Sequence, residues 1–178
     1  IAYIKLHNYH LSKLIILVVI LIASVLFLVP FGKQLLYKKV NYSGLKNQWK
    51  DGVCRQTSGT TCMPACCATV VRKLGGNLSE KELAEEAGTN SGGTEMWYMM
   101  RVLRKHGYKV KAQTAESLKD AKTPSVIGLG TMGHVVVLFV KTTEGPEIGD
   151  PLGYRRKYTW NEFIESYKPK PVYFVISR

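Results

Sequence analysis

Sixteen consecutive residues without a charge, Leu14 to Val29 (LIILVVILIASVLFLV), constrain this chain more than any other stretch in it. The run has no amphipathic period, so it offers no polar face to water. Extended to Leu11 and Phe31 it reaches the roughly 20 residues that a bilayer core requires. A signal-peptide core is usually shorter and ends in a small-residue cleavage site, and none is evident before Pro30-Phe31-Gly32-Lys33. The reading is a transmembrane helix over residues 11–31, with Lys13 snorkelling to the interface. A buried helix of a soluble domain is the alternative.

Charge supports the membrane. Seven lysines (Lys5, Lys13, Lys33, Lys38, Lys39, Lys46, Lys50) and no acid precede Asp51, more than half of the net charge of +12. A basic excess beside an apolar run points to anionic lipid headgroups. No base-stacking or base-reading motif accompanies it, so nucleic acid is not an expected partner. Two of these lysines precede the run and five follow it, which by the positive-inside rule places the C-terminal part in the cytoplasm. The expected organisation is an N-terminal segment over 1–32, a basic juxtamembrane linker over 33–51 and one domain over 52–178. The first residue is not methionine, as in a processed or partial product.

The second organising stretch is Gln56 to Leu74, QTSGTTCMPACCATVVRKL. It sets Cys62 directly after a small polar loop, at the start of a helix-compatible run. A helix N-terminus carries partial positive charge from unpaired N–H groups. A thiol held there is easier to ionise, and the thiolate is the nucleophile. All four cysteines (54, 62, 66, 67) crowd into this region. A disulfide scaffold spreads its cysteines along the chain, so one catalytic thiol in a reducing compartment fits better. Cys66 and Cys67 read as small buried apolar residues. A soft-metal site using Cys54 lacks a tight Cys-x-x-Cys pair or a nearby histidine, while a disulfide from Cys54 to Cys66 or Cys67 stays open.

Downstream, Pro64 is tolerated in a first turn and Gly75-Gly76 ends the helix. Ser79 with Glu82 forms a capping box for a second helix, closed at Gly88. Thr94 to His106 predicts a third, with Met96, Met99, Met100 and Leu103 on its core face. Strand patterns follow at Tyr108–Gln113, Ser125–Leu129, Val135–Val140, Glu147–Asp150, Arg155–Tyr158 and Val172–Ile176. A short helical piece is expected over Ala115–Ala121 and a capped helix after Thr159. Helices first and strands later predict an α+β domain, with an antiparallel sheet covered by the early helices.

Gly128-Leu129-Gly130-Thr131-Met132-Gly133 fits the dinucleotide fingerprint, but that fingerprint must open a helix. Here a strand run, His134 to Val140, follows instead. The glycines are better read as a turn that permits close backbone approach. His134 heads the strand and can project its ring from the sheet end. Asp150, in Gly149-Asp150-Pro151, ends the next strand; alone it reads as a turn residue. Neighbouring antiparallel strands bring the two side by side. Thiol, imidazole and carboxylate are the nucleophile, base and orienting group of acyl transfer. Gln56, six residues before Cys62, can add an oxyanion donor beside the Cys62 N–H, worth roughly 3 kcal/mol in other enzymes.

Gln56, Cys62-x-Pro64-Ala65, Gly133-His134-Val135 and Gly149-Asp150-Pro151 together resemble the papain-like bacteriocin-processing cysteine peptidases. These are the double-glycine leader peptidase domains of peptide-exporting ABC transporters and their stand-alone relatives. The resemblance spans Gly52 to Arg178, and the Trp160-Asn161-Glu162-Phe163 segment is similar to the family's closing helix. It implies Cys62 as nucleophile, His134 as general base and acid, Asp150 as the orienting group and Gln56 as oxyanion donor. It also implies a leader-peptide substrate cut after a Gly-Gly-like pair, with no metal or cofactor, and an ABC-type exporter or other membrane-complex subunit as partner. Met63 stands where the family usually has glycine. The expected function is a membrane-anchored cysteine peptidase. An inactive peptide-binding subunit and an acyltransferase on the same scaffold are the alternatives.

Overall fold

The computed structural model describes residues 2–114, 117–130 and 133–178. It divides into two units, Ile1–Lys38 and Lys39–Arg178.

The first unit is one helix, α1 (Ala2–Leu36). Its 18-residue window Leu11–Leu28 has a mean hydropathy of 2.9 and none of it is buried. This helix is long and apolar enough to cross a membrane. It runs on through Pro30 to Leu36, beyond the expected end near Phe31.

The second unit is α+β. Its elements are β1 (Gln48–Lys50), β2 (Val53–Arg55), α2 (Cys62–Lys73), α3 (Glu80–Glu86), α4 (Met96–Lys105), β3 (Lys109–Thr114), β4 (Ser125–Leu129), β5 (Val135–Lys141), β6 (Pro146–Asp150), β7 (Tyr154–Lys157), α5 (Trp160–Tyr167) and β8 (Pro169–Ser177). Strands β3-β8-β4-β5-β6-β7 form one sheet, antiparallel throughout. The helices-then-strands reading therefore holds, and both predicted capping boxes are present, at Ser79/Glu82 and Thr159/Glu162.

Period-2 alternation on β4 and β5 explains why this sheet is covered twice. Val126, Val135, Val137 and Phe139 pack with α2, α3 and α4 in one core cluster. Ile127, Leu129, Val136 and Leu138 pack with Trp160 and Phe163 of α5 in the other. The strand run is continuously apolar because both faces are buried. α2 is central: every residue from Cys62 to Val71 is buried.

The linker expected over 33–51 is corrected at its C-terminal end. The second unit begins at Lys39, and β1 pairs with β2 in register Gln48↔Arg55. Trp49 packs against the core and lies under the Arg72 guanidinium, 4.3 Å from the ring centroid. Tyr42 Oη donates to Thr89 O at 2.8 Å. The segment's lysines hid an aromatic pair that finds its partners only in three dimensions. Within Ala115–Ala121, residues 115 and 116 lie outside the described residues; Leu118–Asp120 is a single 3₁₀ turn.

Glu80, in the first turn of α3, is fully buried. Its Oε1 accepts from Thr57 N and its Oε2 from Thr57 Oγ1, both at 2.7 Å. This fastens α3 to the loop that leads into Cys62. Glu80→Ala removes both acceptors and leaves Thr57 N–H unpaired. The expected loss is about 2–3 kcal/mol, read as a lower urea midpoint at unchanged m-value.

Candidate active site

Cys62 is the first residue of α2. Ser58 N donates to Thr61 Oγ1 at 3.1 Å, and Thr61 Oγ1 donates back to Ser58 O at 3.1 Å, closing the turn that precedes the helix. The sulfur thus stands at the positive end of the helix dipole. Burial pushes the other three thiols up: Cys54 to about 12, and Cys66 and Cys67 well above the ordinary value. All three stay protonated at neutral pH. None of the four cysteines is in a disulfide, which leaves the open Cys54 pairing unmade. Among the described residues no cluster of three or more His, Cys, Asp or Glu side chains is arranged to hold a metal ion.

His134 immediately precedes β5, after Gly133 with its positive φ of 59°. Leu129 N donates to His134 O at 2.8 Å, so the end of β4 holds the histidine backbone. The close approach expected of the glycine turn is real. Gly130 N donates to Lys168 O at 2.9 Å, and a Cβ at Gly130 would sit 2.6 Å from that oxygen. Thr131 and Met132 of the turn lie outside the described residues.

Asp150 ends β6 and is 1% exposed. Its Oδ1 is 3.0 Å from His134 Nε2 and accepts from Leu152 N at 2.9 Å. Its Oδ2 accepts from Tyr167 Oη at 3.4 Å. The Cys62 side chain lies near enough to the same imidazole to favour its charged form. With Nε2 taken by Asp150, Nδ1 is the ring nitrogen left for the sulfur. Three residues distant in sequence therefore meet in a row: sulfur, imidazole, carboxylate.

The electrostatics follow from this row. Burial works against a charged His134, but the bonds and charges of Asp150 and Cys62 outweigh it and raise the ring to about 9. Burial likewise opposes ionisation of Asp150, yet the bonds from His134 and Leu152 hold its carboxyl below the usual range. At neutral pH the pair is an imidazolium beside a carboxylate.

Gln56 lies in the loop before Cys62, and its backbone N donates to Pro151 O at 2.8 Å, next to Asp150. One N–H of its amide goes to Ser58 O at 2.9 Å, and its Oε1 is buried without a partner. The second amide N–H has no partner among the described residues.

Two cavities flank this row. One, of about 250 Å³, is lined by Cys62, Met63, Gly59, Gly92, Gly93 and Gly133. The other, of about 320 Å³, is lined by His134 and Asp150 with Tyr154, Arg156, Tyr158 and Tyr167. Sequence reading missed the tyrosines: Tyr154 lines the cavity with Asp150 and Tyr158 Oη lies 3.1 Å from Tyr167 Oη. It also missed the Ser91–Thr94 loop that lines the Cys62 cavity. Nothing local marks these residues, which are assembled by the β6–β7 hairpin, α5 and a loop between helices.

The fold is that of known peptidase domains. The peptidase domain of Streptococcus ComA, a bi-functional ABC transporter involved in quorum sensing, is similar with a TM-score of 0.62. The likeness has 21% identity over 73% of this chain and 98% of that one. The double glycine motif protease from an AMS/PCAT transporter, solved with its leader peptide, also gives a TM-score of 0.62, with 21% identity over 70% of this chain and 89% of that one. An uncharacterised protein of Methanothermobacter marburgensis is 33% identical over 101 residues, 56% of this chain and 70% of its own. The chain belongs to the peptidase C39 family, whose model matches residues 50–176. That is a family of cysteine peptidases, and the resemblance read from the sequence is confirmed.

Proposed function

We propose that this chain is a membrane-anchored cysteine peptidase that cuts a leader peptide after a small-residue, Gly-Gly-like pair. One observation carries the reading: the His134 ring is bonded to Asp150 at 3.0 Å and lies near enough to Cys62 for the two to act on each other. Cys62 acts as a thiolate paired with the His134 imidazolium. The sulfur attacks the carbonyl carbon and forms a tetrahedral intermediate, whose oxyanion accepts from the Cys62 N–H and the free amide N–H of Gln56. The C–N bond breaks, and the imidazolium proton goes to the leaving amine. Water, losing a proton to the now neutral imidazole, attacks the thioester; the C–S bond breaks, and the sulfur leaves as the thiolate, which restores the thiolate–imidazolium pair. Asp150 holds the imidazole in place throughout.

The cavity beside Cys62 supports the small-residue preference. Met63 is the largest side chain in its lining, a bulk that suits small substrate residues better than large ones. α1 serves as the membrane anchor, residues 39–178 as the catalytic domain, and the lysine distribution favours a cytoplasmic active site. Substrate delivery by an ABC-type exporter fits the transporters that carry the similar peptidase domains.

The direct test is cleavage of a synthetic leader with a single Gly-Gly pair, followed by mass spectrometry. Cleavage after the second glycine is expected, with about a hundredfold loss when that glycine becomes valine, because the added isopropyl group must be accommodated beside Met63. Intact peptide together with no thioester on Cys62 overturns the reading.

A further inference from the structure

We propose that the cavity on the α5 side of His134 receives the part of the peptide that follows the scissile bond, and that Arg156 selects acidic side chains there. The subsite presupposes the peptidase reading above.

The partition of the two cavities points this way. One is lined by Cys62 and not by His134; the other is lined by His134 and not by Cys62. The acyl part of a substrate bonds to the sulfur, so it belongs on the Cys62 side. The leaving amine must take its proton from the imidazole, so its chain departs across the His134 ring. Strand parity enforces the separation. Val135 faces α2 and lines the first cavity, while His134 shares the parity of Val136 and Leu138, whose face packs on α5.

The linings differ in chemistry as well as in place. The Cys62 cavity has no charged side chain in its lining. The other carries the Arg156 guanidinium, stacked over Tyr158 at 4.8 Å from the ring centroid, together with tyrosine hydroxyls and Ser166. Arg156 is exposed and makes no ion pair among the described residues; Glu162 feels it only through space. Its neighbour Arg155, by contrast, is paired with Glu147 at 2.7 Å. Asp150 is the one acid in the lining, and its oxygens are already taken by His134, Leu152 and Tyr167. An exposed guanidinium held over an aromatic ring in the lining is preorganised to meet a carboxylate.

The test is a competition between two leaders that share one Gly-Gly pair and differ only in the two residues after it, Glu-Glu in one and Lys-Lys in the other. The readout is the ratio of their kcat/KM values in a single reaction, which cancels differences in folded fraction. For the unsubstituted protein the ratio is expected to favour the acidic leader about tenfold, from attraction gained plus repulsion avoided. Arg156→Glu should invert the preference, and Arg156→Lys should retain its direction. Cleavage of both leaders at equal rates, unmoved by Arg156→Glu, overturns the subsite and leaves the peptidase reading standing. Failure of both leaders to be cut and to acylate Cys62 overturns both readings.

Discussion

Replacing Cys62 with alanine is expected to lower leader cleavage by roughly 10⁴- to 10⁶-fold, the range seen when a catalytic nucleophile is removed. The loss is in kcat, because the substrate still meets the same cavity walls. Cys62 is 8% exposed and lies at the start of α2, where its truncation removes one sulfur at the edge of the core. The fold should therefore persist, with far-UV circular dichroism unchanged. Cys54, Cys66 and Cys67 cannot substitute, since burial keeps them protonated and Cys66 Sγ is turned to Val135 O at 3.3 Å. Cleavage that survives in Cys62→Ala at more than about a hundredth of the normal rate assigns the chemistry elsewhere.

Asp150→Asn should lower kcat by about a hundredfold to ten-thousandfold, the outcome when the carboxylate behind a catalytic imidazole becomes an amide. The asparagine is nearly isosteric, so packing around Oδ2 and Tyr167 is retained. What goes is the charge that outweighs the burial of His134. The ring then falls from about 9 toward its ordinary 6.5, and less of the imidazolium that should donate the proton survives at neutral pH. The alkaline limb of the pH–rate profile therefore moves down by at least a unit or so. A profile unchanged in Asp150→Asn would show that the carboxylate does not set the protonation of His134.

The same pair ties stability to pH. His134 is raised on folding, so its contribution is complete below about 6.5 and is lost as pH climbs through about 9. A displacement of that size is on the order of 3 kcal/mol, and the ring is only 12% exposed, so solvent screens little of it. The denaturation midpoint of the unsubstituted protein should fall across that interval, and the fall should largely vanish in Asp150→Asn. Asp150, held below the ordinary carboxylate range, reports the same bond from the acid side and is not counted twice.

Most of the fold was legible because its local signals agree with one another. Capping boxes at Ser79 and Thr159, terminating glycines at Gly75 and Gly88, and the apolar run Val135–Val140 each act within a few residues. The hairpin of β1 and β2 was hidden because its stabilisation is non-local: Trp49 needs Arg72, and Cys54 N needs Thr69 Oγ1 at 2.8 Å. The Glu80–Thr57 clamp was hidden for the same reason, since an acid in a helix's first turn looks like a dipole partner until its burial is known.

Sequence alone determined that one apolar segment of bilayer length stands before an α+β domain, and which sulfur begins a helix. It also determined that a histidine and an aspartate head and end adjacent strands. Those are matters of period, composition and order, which a chain carries before it folds. Tertiary structure decided the rest: that the three side chains meet at one sheet end, that Asp150 raises His134, that Gln56 spends one amide proton on its own loop, and that tyrosines and Arg156 wall the far side of the imidazole. Except for the contact of Gln56 with its own loop, these depend on side chains remote in the chain coming close together, and only packing brings them there.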